Sequence, residues 1–474
     1  MSDRSGNQIA VPPVAEELGR VFHSAGYRLY LVGGPVRDAI LRRSCTDLDF
    51  TTDARPQDTT RLLQEHGTTV WTTGAEFGTI GAMFAGHQVE VTTFRADNYD
   101  RLSRNPQVAF GDSLEEDLVR RDFTINAMAV RLGQGGTEFC DPYGGVSDLA
   151  QRTIRTPGSP QSSFLDDPLR MLRAARFAAQ LGFDVDPDVK QAMTDLAGEL
   201  RRITAERIRD EFVKLMGAPD PVVGLRLLVD CGLADYFLPE LPRMRMSIDE
   251  HAQHKDVYEH TLQVVRNVLA HEEGQPDVIL RIAALLHDIG KPDTKGTAES
   301  GRVTFHHHEV VGARMARKRL RALRFPKHDI ASISQLIFLH LRFYGYGESG
   351  WTDSAVRRYV TDAGDELERL HKLVRSDCTT RNRRKSARLA ADYDAFEQRI
   401  ARIQSEEDLR AVRPDLDGNA IMQLLGLQPG PEVGQAWKHL KELRLERGPL
   451  DRDEAEAELL KWARQHNIGS PPEA

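Results

Sequence analysis

Two aspartates, Asp47 and Asp49, stand two residues apart in the segment TDLDFTT. In an extended strand, residues i and i+2 project from one face, so these carboxylates point together while Leu48 and Phe50 point into a core. Like charges that close repel each other. A divalent cation removes the penalty, and hard oxygen ligands suit Mg²⁺, which keeps open positions for water and substrate phosphates. For an isolated pair, a solvated edge strand or a turn cap is the plainer alternative, but this pair has company. Upstream, YLVGGPVRD runs an apolar strand into Gly33 and Gly34 and then a helix opening at Pro35. Free N–H groups at that helix start, its positive dipole end and nearby Arg37 make a cradle for phosphate. Glu90, in the alternating stretch HQVEVTTF, is either a third carboxylate or an ordinary exposed strand residue.

Two further motifs carry polar groups. In LVRRDFTINAMAV, Arg120 and Arg121 offer forked donors for a triphosphate, and Asp122 and Asn126 offer groups for a ribose. If Asp122 caps a helix, it and Asn126 share a face; capping alone accounts for the aspartate equally well. In DDPLRMLRAARF, Asp167, Arg170, Arg173 and Arg176 recur every three residues and form one charged stripe on an apolar helix. Such a stripe is usually a solvated face or a surface for an acidic partner, and the acid ahead of it adds a third role, reading bases. Cytosine and adenine both present an amino donor beside a ring-nitrogen acceptor. An Asp that accepts and an Arg that donates would admit both and leave groups unpaired against uracil and guanine.

A second chemistry lies farther along. His260 in DVYEHTLQVV is followed by the adjacent pair His287 and Asp288 in AALLHDIGKP, then by a HHH run at 306–308, His340 and Asp377. A lone histidine on an apolar face is usually a hydrogen-bonded core residue. Several His and Asp side chains converging from separate helices suit a divalent transition metal, which can ionise a bound water for phosphate-ester hydrolysis.

The elements that must position these groups follow from periodicity. Up to about Tyr143, short β-rich runs (YRLYLVG, DLDFTT, TTVWTTG, GTIGAMFAG, HQVEVTTF, AMAVRL, TEFCD) alternate with helical ones, which predicts a small mixed α/β domain. From Leu165 the pattern becomes helical, with LRMLRAARFAAQL and TAERIRDEFVKLM apolar at three- and four-residue spacing. The Pro-, Gly- and Ser-rich TIRTPGSPQSS is the expected joint, and PRMRMSIDEHAQHK marks a second change. The expected division is an N-terminal tail and first helix start at 1–20, a head at 21–153, a helical neck and body at 154–245, a histidine domain at 246–380 and a helical tail at 381–474, with the neck and body expected to bind nucleobase and RNA and the tail to bind RNA.

The 474 residues are 40% hydrophobic and 28% charged, a multidomain globular composition. Cys45, Cys140, Cys231 and Cys378 form no CxxC pair, which argues against a disulfide framework or a cysteine zinc site. The opening MSDRSGNQIAVPP lacks an apolar stretch and no run of 18 apolar residues occurs, so a cytoplasmic protein with no membrane role is expected. A net charge of −8 disfavours nucleic acid as a partner overall, yet the charge is uneven. Seven Arg or Lys and no acid lie between Val310 and His328, and five more basic residues between Arg381 and Arg388. Each run is either a solvated face or a phosphate track.

GGPVRD, TDLDFTT, RRDFTINAMA, DPYGG and DDPLRMLRAARF occur here in the order seen in the bacterial-type tRNA nucleotidyltransferase and poly(A) polymerase family, which residues 25–240 closely resemble. The resemblance implies an α+β fold: a small polymerase-β-like nucleotidyltransferase head, then an all-α neck, body and tail. It implies that Asp47 and Asp49 hold catalytic Mg²⁺ and that Gly33, Gly34 and Arg37 belong to the nucleotide-phosphate site. It further implies that Arg121, Asp122 and Asn126 contact triphosphate and sugar, and that Asp167 and Arg170 read the base without a template. Asp166 stands where the family usually has glutamate. The loop ADNYDRLSRNPQVAFGDSLEED resembles the one associated with adding a terminal A after two Cs, which favours CCA addition to tRNA from CTP and ATP over CC addition. Poly(A) polymerases share nearly all these motifs and remain the alternative. The tail segment PDLDGNAIMQLLGLQPGPEVGQAWKHLKEL looks like that of CCA-adding members; Gly426, Gly430 and Gly434 mark either a phosphate-binding turn or simple helix caps.

The histidine region resembles the HD metal-dependent phosphohydrolase superfamily, with His260, His287, Asp288 and Asp377 in the signature positions and His308 and His340 as the extra ligands of two-metal members. Mn, Ni, Fe or Zn would suit that centre, and Lys291 resembles the lysine that meets substrate phosphate. A protein working mainly through this centre is a further alternative. No obligate protein partner is indicated.

Overall fold

A computed structural model of the protein describes residues 9–43, 47–67, 69–96, 109–133, 137–246, 256–300, 303–345, 351–379, 382–406 and 413–469. The expected loop at 96–117 therefore lies largely outside the described residues. The chain divides into two compact units, Met1–Pro239 and Glu240–Ala474.

The first unit is built on β1 (Leu29–Val32), β2 (Leu48–Thr52), β3 (Thr69–Trp71), β4 (Thr79–Phe84), β5 (His87–Thr93), the short ladder of β6 (Arg95–Ala96) with β7 (Ala109–Phe110), β8 (Ala129–Leu132) and β9 (Glu138–Cys140). Seven of these form one sheet in the order β3-β4-β5-β2-β1-β8-β9. All neighbours in it are antiparallel except β2 and β5, which run parallel. β1 has four buried residues, the continuous apolar run of a central strand. Tyr30, Val32, Phe94, Leu114, Leu118, Ala127 and Ala129 pack into one cluster at this strand.

The helix Pro13–Ser24 buries Val14, Ala15, Leu18, Gly19 and Phe22. At Gly19 a Cβ would lie 2.5 Å from the Leu132 Cβ, so only glycine allows the helix to sit this close to β8. Beyond the head, helix Leu169–Leu181 packs on helices Ala205–Met216 and Pro221–Asp230. Its small inward residues Ala174, Ala175 and Ala178 permit the close approach, and at Gly224 an added Cβ would stand 2.6 Å from the Ala175 carbonyl oxygen. The expected joint at 153–163 does not divide the protein into compact units, because Thr153–Ile154 pairs in parallel with Asp184–Val185.

The second unit is helical apart from a hairpin of Lys295–Thr297 with Val303–Phe305. Its helices Val257–Leu269, Val278–Leu286, His308–Ala322, Lys327–Leu339 and Leu367–Asp377 surround the histidines. Gly290 sits against helix His308–Ala322, where a Cβ would come within 2.3 Å of the His308 carbonyl oxygen, so the turn after the His-Asp pair requires glycine. In the tail, Leu416, Ile421, Leu425, Ala436, Leu440, Ala455, Leu459 and Ala463 form a separate core. Gly426 is a left-handed C-cap and Gly430 an N-cap, which is the capping alternative, while Gly434 lies within helix Pro431–Arg447. Among the described residues no helix is long and apolar enough to cross a membrane.

Candidate active sites

The first candidate site lies on the central strands of the head sheet. Leu48 and Phe50 of β2 are buried, whereas Asp47 just before the strand is exposed and Asp49 half-buried, the alternation expected of a strand with one wet face. Asp49 stands directly across from Glu90 in the parallel β2–β5 ladder, so Glu90 joins the row of acids. Burial raises the Asp49 carboxyl above its ordinary value, with Asp47 adding to the rise and Arg121 opposing it. Glu90 is raised by burial and then by Asp49 and Asp47. Acids gathered this closely, with Asp49 and Glu90 both held above the ordinary carboxyl range, are a donor set suited to a hard divalent cation.

Gly33 follows β1 with φ 73°, a conformation L side chains rarely adopt, and a Cβ there would come 3.0 Å from the Arg121 guanidinium. Arg37 is turned inward: its Nη1 donates to Asn126 Oδ1 at 2.7 Å, its Nε to Asp38 at 2.9 Å, and its guanidinium lies over the Phe177 ring. The helix expected from Asp122 is only a 3₁₀ turn, Thr124–Asn126. The two polar residues meet all the same, with Asn126 Nδ2 donating to Asp122 Oδ1 at 3.0 Å. Arg173 pairs with Asp122 at 2.6 Å. Burial pushes the Asp122 carboxyl up, but the Arg173 charge and the bonds from Asn126 and Arg173 outweigh it and hold the group at about 2. Groups that the sequence offers to a ribose are thus each other's partners in a buried relay, Arg173–Asp122–Asn126–Arg37.

Arg120, Arg121, Asp167 and Arg170 line a cavity of about 300 Å³ together with Thr92, Arg95 and Asp117. Within it, Arg121 pairs loosely with Asp117 at 3.5 Å. Arg170 donates to the Ser163 hydroxyl at 2.8 Å and to the Arg120 carbonyl, while Asp167 accepts from Arg207 at 2.8 Å and from the Leu169 N–H at 3.2 Å. The arginine stripe is therefore divided. Arg170 faces the cavity, Arg173 binds Asp122, and Arg176 pairs with Glu211 at 2.7 Å inside the helical layer. Sequence reading missed Arg207 and Glu211, although their four-residue spacing in TAERIRDEF is a signal, as well as Arg95 and Asp117, which carry none.

The second candidate site is the histidine cluster. His260, His287 and Asp377 form one group of convergent ligand atoms, and Asp288, His308 and His340 another. His287, His308 and His340 each turn Nδ1 to a backbone carbonyl three residues back, at 2.8, 2.8 and 2.6 Å, and His260 Nδ1 meets the Thr379 hydroxyl at 2.9 Å. A donating Nδ1–H leaves Nε2 with its lone pair, the form a metal takes. The buried Nε2 atoms of His287 and His308 each lie 3.2 Å from a carboxylate oxygen of Asp288, and that of His340 is buried without a hydrogen-bond partner. Burial disfavours charge on His287, but Asp288 and Asp377 overcome it and raise the imidazole to about 10; burial and the neighbouring His287 hold His340 near 4. A centre that stabilises one added positive charge this strongly fits a cation. Of the HHH run only His308 is buried, so the structure selects it over exposed His306 and His307. Lys291 donates to Asp288 at 2.6 Å.

A mixed sheet with a row of carboxylates beside an arginine-lined cleft, followed by helices and a four-histidine, two-aspartate centre, defines a polymerase-β-like nucleotidyltransferase joined to a metal-binding helical domain. Residues 29–155 match the family "Poly A polymerase head domain", 182–244 match "Probable RNA and SrmB-binding site of polymerase A", and 257–397 match "HD domain". The protein is 35% identical over 361 residues to an A-adding tRNA nucleotidyltransferase of Deinococcus radiodurans, covering 74% of this sequence and 80% of the relative. A CCA-adding enzyme of Geobacillus stearothermophilus is 42% identical over 233 residues, 48% of this sequence and 56% of that one. The crystal structure of the Bacillus stearothermophilus CCA-adding enzyme in complex with CTP superposes with a TM-score of 0.68 at 26% identity, covering 97% of this protein and 99% of that one. The chain belongs to the bacterial tRNA nucleotidyltransferase family with a fused HD domain, and it is a nucleotidyltransferase.

Proposed function

We propose that this enzyme adds C, C and A to the 3′ end of tRNA without a template, using CTP and ATP and releasing pyrophosphate in the cytoplasm. The observation that carries the reading is the row Asp47, Asp49 and Glu90 on one sheet face in a protein of this family. Mg²⁺ held by Asp47 and Asp49 would supply Lewis-acid stabilisation of charge on the attacking and leaving oxygens. The protein's own residues do the remainder. Gly34 presents its backbone N–H at the helix start, Gly33, whose own N–H donates to the Met128 carbonyl at 3.3 Å, supplies the left-handed turn that lets the backbone approach, and Arg120 and Arg121 clamp the triphosphate. Arg37, Asn126, Asp122 and Arg173 act as a positioning relay beneath them, and Arg176 with Glu211 stiffens helix Leu169–Leu181. Asp167 and Arg170 read the amino and ring-nitrogen groups that C and A share, with Arg207 and Ser163 orienting them.

The division into head (21–153), neck and body (154–245), HD domain (246–380) and tail (381–474) is part of the same proposal. A second activity rests on the two groups of converging ligand atoms and the unpartnered Nε2 of His340. His260, His287, Asp288, Asp377, His308 and His340 would hold Mn, Ni, Fe or Zn, which would generate a hydroxide-like water for phosphate-ester hydrolysis. Lys291 would meet the phosphate.

The test supplies tRNA ending before CCA with Mg²⁺ and labelled CTP or ATP, alone and together, and sequences the products. Addition of two Cs and then one A supports the proposal. Addition only to tRNA already ending in CC would mean that the enzyme is A-adding, as the Deinococcus relative is described, and long A tails on mixed RNA would mean that it is a poly(A) polymerase. Release of a ring-opened product from a 2′,3′-cyclic phosphate with Ni²⁺ or Mn²⁺ tests the HD centre separately.

A further inference from the structure

Helix His308–Ala322 carries Arg314, Arg317, Lys318 and Arg321 at i, i+3, i+4 and i+7, all on the side turned away from the core. Its other side is consumed by the core: Gly312, Ala313, Ala316 and Leu320 are buried, and His308 points its Nε2 at Asp288. Nearly opposite faces of one helix therefore serve the metal centre and this stripe. Several other arginines of the second unit are paired, as in Arg369 with Asp277, Arg375 with Asp394, and Arg399 with Asp353, each at 2.7 Å. Even Arg319, on the same helix, reaches Glu240 at 2.9 Å. Among the described residues Arg314, Arg317, Lys318 and Arg321 have no ion pair, in a protein whose net charge is −8. A local excess of cations that no carboxylate of the protein neutralises, against an acidic whole, creates a positive field that an external polyanion complements.

We infer that this stripe is a track for the phosphodiester backbone of RNA, resting on the reading of tRNA as substrate and adding a footprint on the second unit that the HD chemistry does not require. Three of the four cations are arginine, whose planar fork matches phosphate oxygens. A lipid surface fits less well, because a helix lying on a membrane must offer a bulky apolar face, and this one has already spent its apolar face on the core.

The experiment compares wild type with Arg314→Gln/Arg317→Gln/Lys318→Gln/Arg321→Gln in binding fluorescent tRNA that ends before CCA, at several NaCl concentrations. Glutamine keeps helix propensity, and circular dichroism with a thermal melt checks the fold. A second variant, Arg383→Gln/Arg384→Gln/Lys385→Gln/Arg388→Gln, removes the same charge from the other basic run. Each lost phosphate contact flattens the plot of log K against log salt by about 0.7 to 0.9. The stripe variant is expected to lose about three from the slope and to raise KM for tRNA with kcat kept, with a markedly smaller slope change in the second variant. An unchanged slope overturns the inference. So does an equal change in both variants, which leaves the stripe no footprint beyond that of the other basic run, or loss of binding to phosphatidylserine vesicles with tRNA binding intact. If the quadruple variant unfolds, the four single variants carry the test, each expected to flatten the slope by one contact. Nucleotide addition by the wild type is scored in parallel. A wild type that binds tRNA but adds nothing refutes the proposed reaction and leaves the slope comparison decisive for the stripe.

Discussion

Replacing Arg173 with Met is the sharpest probe of the head. The substitution keeps length and apolar stem but leaves Asp122, 6% exposed, without its counter-charge. The Asp122 carboxyl sits at about 2 against an ordinary 3.8. That difference corresponds to about 2.4 kcal/mol at about 1.36 kcal/mol per unit. Breaking a buried pair costs about 3–5 kcal/mol in general. Because the Arg173 side chain is 35% exposed, solvent screening places the expected loss at the lower end, about 2 kcal/mol. The sign follows from the direction of the shift. A depressed carboxyl contributes stability that is present above pH about 4 and lost as pH falls toward about 2. In the variant, burial unopposed by Arg173 raises the same carboxyl, so the variant recovers relative to wild type as the pH falls. Urea unfolding at pH 7, 5 and 3.5 should therefore show a gap that narrows on acidification. Asp122→Asn/Arg173→Met should recover part of the loss at pH 7, since the stranded charge is gone. Released Asn126 would in turn loosen Arg37 and raise KM for CTP. A gap below about 0.5 kcal/mol at pH 7, or one that stays constant with pH, would mean the pair does not anchor this region.

Asp47→Ala and Asp49→Ala should each lower nucleotide addition by at least about a thousandfold in gel assays while leaving thermal stability near wild type, because each removes a cation ligand from a partly wet face; retained addition would sink the assignment. His340→Ala should lower the metal content of purified protein, measured by mass spectrometry, and abolish cyclic-phosphate hydrolysis with addition unaffected. Gly33→Ala forces an L side chain to φ 73° and against Arg121, at a cost of about 1–3 kcal/mol of local strain, and should raise KM for CTP without changing how Asp49 and Glu90 pair. Arg176→Met should destabilise the helical layer by about 3 kcal/mol, since Glu211 is 4% exposed and its counter-charge is lost, and denaturant melts would reveal it.

Local pattern carried much of the architecture. The seven β-rich runs up to residue 141 are the seven strands of one sheet, because each alternates or is continuously apolar and ends in Gly or a polar turn. The acids at 47 and 49 and the buried residues between them follow from period two alone. The His-Asp pair was legible through adjacency and the glycine that follows, which the structure explains by the tight approach at Gly290. Spacing was a poorer guide for arginines. Arg170, Arg173 and Arg176 look equivalent at steps of three, yet their partners are a hydroxyl, a head aspartate and a glutamate 35 residues on. A three-residue step drifts around the helix, so each guanidinium meets a different neighbour.

What the sequence specified by itself was the set of elements and the chemistry each can offer: paired acids on a strand, donors at a glycine turn, histidines at helix ends. Those properties depend on near neighbours along the backbone. Which groups are ligands and which are scaffolding was decided only in three dimensions, where Glu90 came into register with Asp49, His308 was buried in preference to His306 and His307, and Asn126 was consumed by Arg37 and Asp122. The physical reason is that charge and hydrogen-bonding capacity are settled by whatever lies within a few ångströms, and in a folded protein that neighbour comes from far away in sequence.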